Sequence, residues 1–266
     1  MTTPIAVTIA GSDSSGGAGV QADLKTFSAL GVYGASVITA LTAQNTRGVT
    51  AIHDVPPALV AAQIDAVFSD LAVGAVKIGM LGNAAIIAAV AAGLERHNQT
   101  NVVLDPVMAA TSGRRLLGAD AVEALRRELL PRARVITPNL PEAAALLEAP
   151  EARDENEMLA QADRLIALGA NAVLMKGGHA GGAESIDLLV TATASIRVIG
   201  ERIATRNTHG TGCTLAAAIA AGLAHGRGLT QAVHDAKEYI TSAIGAADRL
   251  SIGTGPGPVH HFFRWW

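Results

Sequence analysis

The sequence predicts an α/β protein whose central sheet is mainly parallel and covered by helices on both faces. Short segments rich in Val, Ile and Ala alternate with longer helical segments almost from end to end of the 266-residue chain. The strand-like segments are apolar throughout, which indicates burial on both faces of a parallel sheet. No linker, low-complexity block or internal repeat interrupts this pattern, so residues 1–266 are predicted to form a single domain.

The elements follow from hydrophobic periodicity, taken in chain order. Ile5–Ala10 is the first strand, because it is a short apolar run that ends at a glycine-rich stretch. The other predicted strands are Ala35–Leu41, Val73–Ile78, Asn101–Leu104, Arg134–Thr137 and Ala172–Lys176, then an outer hairpin of Ile186–Thr191 and Ile196–Ile203. The predicted helices are Val20–Leu30, Pro57–Asp70, Ala84–Arg96, Ala119–Leu130, Pro141–Leu147, Glu155–Leu168, Thr211–Leu223 and Leu229–Leu250. Tyr33–Val55, rich in Thr, Asn and Gly, is predicted to add a small strand extension or lid.

Composition narrows the class of protein further. Half of the residues are hydrophobic but only 3% are aromatic, so the core must be built from Ala, Val, Leu and Ile. A net charge of −3 gives no reason to expect nucleic acid or an anionic membrane as a partner. One cysteine cannot form an internal disulfide, and no basic and apolar leader opens the chain, so we expect a cytoplasmic protein.

The segment Asn207–Thr214 places a glycine-rich turn directly before an alanine-rich helix. Glycine lets the backbone approach a ligand closely, and the first helical turn leaves N–H groups pointing outward. Gly210, Thr211 and Gly212 are therefore predicted to form an anion hole, with Cys213 at its mouth. The helix N-terminus should favour the thiolate of Cys213. This arrangement suits phosphoryl transfer.

Two further segments offer contacts for a small heterocycle. The loop Gly11–Gly19 follows the first strand, and Asp23 comes soon after it in the next helix. A carboxylate there would accept hydrogen bonds from an amino or hydroxyl group of a substrate, although the loop alone is equally compatible with a flexible turn. Gln44 offers a donor and an acceptor together, which suits the edge of a nitrogen heterocycle, or it is a solvated turn residue.

Oxygen donors and a lysine stand at the carboxyl ends of predicted strands, where ligands bind in parallel sheets. Asp105, Asn139 and Glu142 together make a water-mediated magnesium site plausible, since Mg²⁺ takes few protein oxygens and keeps several waters. Helix capping is the alternative role for Asp105 and Asn139, and a first-turn acid for Glu142. Lys176 ends a buried strand, where a phosphate would supply its partner. His179 is expected to be a loop residue.

Seven motifs in this order resemble those of the hydroxymethylpyrimidine/phosphomethylpyrimidine kinases of thiamin biosynthesis, within the ribokinase-like superfamily. They are Gly11–Gly19, Gln44, Lys77–Leu81, Asp105–Val107, Thr137–Glu142, Met175–His179 and Asn207–Cys213. The resemblance runs from Ile5 to the Pro258–His261 tail. Its most specific part is Cys213, because the superfamily motif usually ends in aspartate and the cysteine form is known from this kinase family.

The resemblance implies a three-layer αβα sandwich and two ATP-dependent phosphorylations, of the pyrimidine alcohol and then of its monophosphate. By the same resemblance, Gln44, Asp23 and Gly11 would line the pyrimidine pocket, with Met80 and Val107 packed on the ring. Lys176 would neutralise the transferring phosphoryl group. Thr211 and Lys237 would contact the nucleotide, Mg²⁺ would be held through waters, and the chain would form a homodimer.

Three alternatives stay open at this stage. A pyridoxal or pyridoxine kinase of vitamin B6 salvage would share the fold and the anion hole, and would be distinguished by its acceptor. A hydrolase with Cys213 as nucleophile would need a base; His209 is near in sequence but has no evident orienting acid. A metabolite-binding regulator without activity is the third, and ATP turnover would exclude it.

Overall fold

The computed structural model describes residues 2–109, 113, 116–178 and 184–266, so His179 lies outside the described residues. Eight strands form one sheet in the order β10-β9-β8-β7-β6-β5-β1-β2. Its strands are β1 (Ile5–Ala10), β2 (Tyr33–Ile38), β5 (Ala75–Ile78), β6 (Val102–Leu104), β7 (Val135–Ile136), β8 (Ala172–Lys176), β9 (Glu184–Thr191) and β10 (Ser195–Glu201). Neighbouring strands from β8 to β2 are parallel, and β9 and β10 form the predicted antiparallel outer hairpin. The mainly parallel sheet is confirmed.

Helices cover both faces of this sheet, which gives the three-layer sandwich. The helices are α1 (Gly19–Ala29), α2 (Pro57–Phe68), α3 (Ala84–Arg96), α4 (Ala119–Ala124), α5 (Leu140–Leu147), α6 (Glu155–Ala167), α7 (Thr211–Ala224) and α8 (Leu229–Gly245). Helices α2 to α6 contribute to the core on one face, and α1, α7 and α8 to the core on the other. Small residues allow close packing: a Cβ placed on Gly222 would lie 2.8 Å from the Cβ of Ala232. None of the helices in the described ranges is long and apolar enough to cross a membrane.

The predicted strand Ala35–Leu41 is wrong in its bounds, because the chain leaves the main sheet at Thr39. There the Thr39 N–H donates to the carbonyl of Ala10, and the Thr39 hydroxyl donates to the carbonyl of Met80. The chain then forms a separate antiparallel pair, β3 (Ala40–Asn45) with β4 (Gly48–Asp54). This hairpin is the small strand extension that the sequence predicted, and it lies beside the carboxyl end of β1.

The predicted helix Ala119–Leu130 also differs, since α4 passes into a π turn at Leu125–Leu129 and a 3-10 turn at Leu130–Arg132. Pro131 lacks an N–H, and its ring clashes with the carbonyl four residues earlier in a regular α-helix. A regular α-helix is therefore not expected to continue through Pro131. Further along the chain, the last predicted helix, Leu229–Leu250, is shorter than predicted. It stops at Gly245, and Ala247–Arg249 forms a separate 3-10 turn.

The C-terminal segment docks against the body of the molecule. His261 Nε2 lies 3.0 Å from the hydroxyl of Thr214 in α7, and the Tyr239 hydroxyl donates to the carbonyl of His261. The rings of His260 and Trp266 lie 4.7 Å apart, while Trp266 itself is largely exposed. The tail therefore packs under the helix that carries the predicted anion hole.

Candidate active site

The predicted anion hole is built at the start of α7. Gly210 is the N-cap residue, with a φ of 82°, and Thr211, Gly212 and Cys213 form the first turn. A Cβ at Gly210 would lie 1.9 Å from the carbonyl oxygen of Gly17, so only glycine fits there. The Thr211 N–H already donates to the carbonyl of Thr208 at 3.2 Å. The N–H groups of Gly212 and Cys213 are therefore the ones that the first turn directs outward.

Lys176 and two carboxylates meet next to this helix. Lys176 ends β8, and its backbone N–H donates to the carbonyl of Pro138, which aligns it with the loop after β7. Its Nζ lies 2.9 Å from Asp105 Oδ1 and 3.8 Å from Glu142 Oε2. A Cβ placed on Gly212 would lie 3.4 Å from the same Nζ. The structure thus brings together four of the predicted site residues.

The charges in this cluster support one another. Burial alone would lower the pKa of Lys176, but the carboxylates of Asp105 and Glu142 outweigh it, and the pKa is raised. Burial would raise the pKa of Asp105, but Lys176, Lys77 and a hydrogen bond from Thr137 hold it below the usual range. Lys176 is therefore a permanent cation held in place by a carboxylate.

Asn139 and Glu142 form a capping box at the start of α5. The Glu142 N–H donates to Asn139 Oδ1, and the Asn139 N–H donates to Glu142 Oε2, both at 2.8 Å. Burial raises the pKa of Glu142 to about 7, against the opposing charge of Lys176. These two residues therefore cap the helix, which was the alternative role given to them above. Their carboxylate and amide oxygens still have lone pairs that a ligand could use.

A magnesium ion fits this donor set only through few direct ligands. Asp105 and Glu142 supply hard oxygen donors on both sides of Lys176, as Mg²⁺ prefers. Across the residues that the structure describes, no group of three or more His, Cys, Asp or Glu side chains could hold a metal. The site therefore suits an ion that keeps most of its waters.

Cys213 does not carry the thiolate that its place at a helix N-terminus suggests. Burial raises the pKa of the thiol to about 11, and the carboxylates of Asp23 and Asp105 act in the same direction. The charge of Lys77 and a hydrogen bond from the backbone of Gly19 oppose them without prevailing. The expectation of a favoured thiolate is wrong, because desolvation outweighs the helix terminus.

The residues predicted to line a pyrimidine pocket surround the loop Gly11–Gly19, which is the first loop of the chain. Gly11 lies against Met80: its N–H donates to the Met80 carbonyl, and a Cβ on Gly11 would lie 3.2 Å from the Met80 sulfur. Gln44 is half-buried on β3, where a β-bulge interrupts the hairpin. The hydroxyl of Ser14 bonds both the N–H and the carbonyl of Gln44 at 2.8 Å. Val107 is half-buried and lies two residues after Asp105.

Asp23 is fully buried beneath this loop. Its Oδ2 accepts hydrogen bonds from the Thr8 hydroxyl at 2.6 Å and from Lys77 Nζ at 2.9 Å. Its Oδ1 has no hydrogen-bond partner among the described residues. Sequence reasoning assigned no role to Lys77; the available signal was a charged residue inside a predicted buried strand, which requires a partner.

Lys237 lies in α8, in a contact with β9. Its Nζ lies 2.7 Å from Asp187 Oδ2 and 3.1 Å from the hydroxyl of Ser185. Asp187 also accepts the N–H of Gly177, directly after Lys176. An open cleft of about 640 Å³ borders the segment before the anion hole; it is lined by Ala204, Thr205, Arg206, Asn207, Asp248, Thr254 and Gly255.

A family model and a relative of similar length point to the same family. A family model described as phosphomethylpyrimidine kinase matches residues 13–260. A hydroxymethylpyrimidine/phosphomethylpyrimidine kinase of Rhizobium meliloti is 63% identical over 264 residues, which is 99% of both chains.

Two solved structures show the same fold. The pyridoxal kinase of Bacillus subtilis in complex with ADP aligns with a TM-score of 0.91 and 36% identity, over 100% of both chains. The phosphomethylpyrimidine kinase of Clostridium difficile aligns with a TM-score of 0.80 and 45% identity, over 90% of this chain and 99% of that one. The ribokinase-like fold expected from the sequence is confirmed.

Proposed function

Because the chain belongs to the phosphomethylpyrimidine kinase family, we propose that it catalyses two successive phosphorylations with ATP. The first acceptor is the hydroxymethyl oxygen of 4-amino-5-hydroxymethyl-2-methylpyrimidine, and the second is the resulting monophosphate. The diphosphate product serves thiamin biosynthesis. The observation that carries this function is the Lys176–Asp105 contact of 2.9 Å beside the anion hole.

Lys176 acts on the phosphoryl group that moves. Phosphoryl transfer needs positioning and charge neutralisation more than covalent help. A cation fixed by Asp105 does not have to reorganise as negative charge develops, and the outward N–H groups of Gly212 and Cys213 supply further hydrogen-bond donors. Thr211 belongs to this nucleotide-binding turn.

Cys213 accepts the proton of the alcohol in the first reaction. The hydroxymethyl oxygen forms the new bond to phosphorus, the bond to the ADP oxygen breaks, and the alcohol proton passes to the sulfur. Since the pKa of the free thiol is about 11, the reactive thiolate is a minor form at neutral pH. The second acceptor is an ionised phosphate and needs no base.

The pyrimidine occupies the pocket around the first loop. Gln44 offers both a donor and an acceptor to the ring edge, and Gly11, Met80 and Val107 supply a close and mostly apolar wall. Asp23 is proposed for this pocket on the family resemblance alone, since its carboxylate is fully buried and bound to Thr8 and Lys77.

Mg²⁺ and ATP complete the site. Asp105, Asn139 and Glu142 would hold Mg²⁺ largely through waters, and the ion would neutralise charge on the phosphates when bound. The proposal that Lys237 binds the nucleotide rests on the family resemblance alone, since its Nζ contacts Asp187 in the structure.

We also propose a cytoplasmic homodimer. The dimer follows from the resemblance to a family of common dimers, and exposed apolar side chains such as Leu41 and Leu59 support it. Sedimentation of the purified protein would reveal a monomer if this is wrong.

A coupled ADP-release assay with Mg-ATP tests the function. Its acceptors are the pyrimidine alcohol, the pyrimidine monophosphate and pyridoxal. We expect turnover of both pyrimidines and little of pyridoxal. Preference for pyridoxal would favour the vitamin B6 kinase, whose fold the Bacillus subtilis structure shares. Silence with all three acceptors would contradict a kinase of either kind.

A further inference from the structure

Asp13, which sequence reasoning passed over, lies buried where the first loop meets the anion-hole loop. Its Oδ1 accepts hydrogen bonds from the N–H and the hydroxyl of Ser15, at 2.9 and 2.7 Å. Its Oδ2 accepts the N–H groups of Gly17 at 3.1 Å and Ala18 at 2.8 Å. The same oxygen lies 2.8 Å from Nε2 of His209, which is 196 residues away in the chain. The Asp13 carboxylate therefore binds backbone groups of its own loop and also contacts the loop that carries His209.

His209 is the residue immediately before the anion hole, and its backbone is held as well as its side chain. The His209 N–H donates to the carbonyl of Gly257, and its carbonyl accepts the N–H of Val259. The imidazole fills the space above the first loop, since a Cβ on Gly17 would lie 2.4 Å from its Cδ2. The backbone that leads into Gly210 thus has little freedom.

Hydrogen bonds also keep the carboxylate charged. Burial would raise the pKa of Asp13, but the hydrogen bonds from His209 and Ser15 outweigh it and lower the pKa. A buried carboxylate with hydrogen bonds of this kind adds little net stability compared with apolar packing. Its value lies in fixing one arrangement of the groups around it.

From this geometry we propose that Asp13 and His209 are a positioning pair for the anion hole. The contact fixes the backbone at Gly210 and so aims the N–H groups of the first turn of α7 at the transferring phosphoryl group. Neither side chain touches that group. The inference rests on the proposed function, because it assigns the phosphoryl group to this helix terminus.

The test compares His209→Ala with His209→Gln, whose amide can donate a hydrogen bond to Asp13. Calorimetry measures binding of the ATP analogue AMP-PCP and of adenosine, which lacks phosphates. For His209→Ala we expect AMP-PCP binding to weaken roughly 10-fold or more and adenosine binding to stay within about 2-fold. We expect kcat to fall about 100-fold with both pyrimidine acceptors while their KM values stay within about 3-fold. His209→Gln should recover most of each loss.

His225→Ala is the matched control, since His225 lies at the far end of α7 and its Nε2 contacts the carbonyl of Leu30. Unchanged AMP-PCP binding and kcat in His209→Ala would overturn the proposal. So would a uniform loss, in which adenosine binding, pyrimidine KM and thermal stability all worsen and His209→Gln behaves like His209→Ala. If the wild type phosphorylates neither pyrimidine, the proposed function fails, and the AMP-PCP and adenosine comparison still decides the positioning role.

Asp13→Asn gives a second route if His209→Ala does not fold. The amide NH₂ would face the N–H groups of Gly17 and Ala18 or of Ser15, so the first loop loses an acceptor. We expect the same selective loss, with AMP-PCP binding weakened and adenosine binding within about 2-fold of the wild type. Equal losses for AMP-PCP and adenosine, or no loss for either, would contradict a positioning role.

Discussion

Cys213 is surrounded by groups that act on its thiol in opposite directions. Lys77 and the backbone of Gly19 favour the thiolate, while burial and two carboxylates favour the thiol and prevail. A thiol with so high a pKa is rarely ionised at neutral pH, but the thiolate, when it forms, is a strong proton acceptor. This makes the two phosphorylations chemically unequal at one site.

Removing the sulfur should separate the two reactions. For Cys213→Ala we expect phosphorylation of the alcohol to fall at least about 100-fold and that of the monophosphate by less than about 10-fold, because only the alcohol must lose a proton. Steady-state rates with each acceptor measure this. Equal losses with both acceptors would mean that Cys213 serves only as part of the anion hole.

The rate of alkylation measures how much of Cys213 is in the thiolate form. Only the thiolate reacts with iodoacetamide, and its fraction rises with pH up to the pKa of about 11. We expect slow alkylation of the apo protein at pH 7 that accelerates about tenfold per pH unit up to about pH 10. The only cysteine makes mass spectrometry unambiguous. A plateau below pH 8 would show that the thiolate is favoured after all.

Lys176 and Lys237 offer a matched pair, since each contacts a carboxylate. For Lys176→Met we expect kcat to fall roughly 100- to 1000-fold with both acceptors, since a preorganised cation is lost from the developing charge. Lys237→Met removes a cation that contacts Asp187. If Lys237 binds the nucleotide, that variant raises the KM for ATP; if it only holds β9 to α8, thermal stability falls and the KM stays. Unaltered kcat in Lys176→Met would contradict its catalytic role.

At the scale of elements, α7 is held from below by the C-terminal segment. His261 contacts Thr214 in the first turns of that helix, close to the anion hole. Burial, followed by the charge of Lys25, lowers the pKa of His261 to about 3. The segment is therefore attached through an imidazole that must be neutral in the folded protein.

This attachment should weaken in acid. A histidine whose pKa is depressed contributes stability that is complete above its unfolded value of about 6.5 and is lost as the pH falls towards 3. At pH 4.5 we expect His261 to cost about 2 to 3 kcal/mol of unfolding free energy relative to pH 7. His261→Gln cannot titrate, so its loss between these pH values should be smaller by that amount in urea titrations. His225→Gln is the control, and an identical pH dependence of His261→Gln and the wild type would refute the assignment.

Over the whole molecule, one eight-stranded sheet runs from the outer hairpin of β9 and β10 to β2. The sequence predicts that residues 1–266 form a single domain, and unfolding tests this prediction. We expect fluorescence and far-UV circular dichroism to report one coincident unfolding transition in urea. Two transitions at different urea concentrations would indicate that the chain contains two domains.

The sequence predicted local features well, because local residues specify them. The bounds of α3 and β8 agree with their predictions: Asn83 caps α3, and Lys176 ends an apolar run. The residues of the charged cluster were also predicted, since strand ends converge in parallel sheets. What could not be predicted were pairings between distant residues, such as Asp23 with Lys77, and the burial that raises the pKa of Cys213.

The two ends of the chain meet at His209, through Asp13 on one side and the segment of Gly257 and Val259 on the other. During synthesis the ribosome releases Asp13 long before Gly257 and Val259. Until these two residues have left the exit tunnel, the nascent chain lacks the contacts that hold the backbone of His209 in place. A chain released by a ribosome that stalls before Gly257 would therefore carry most of the fold and little of the activity.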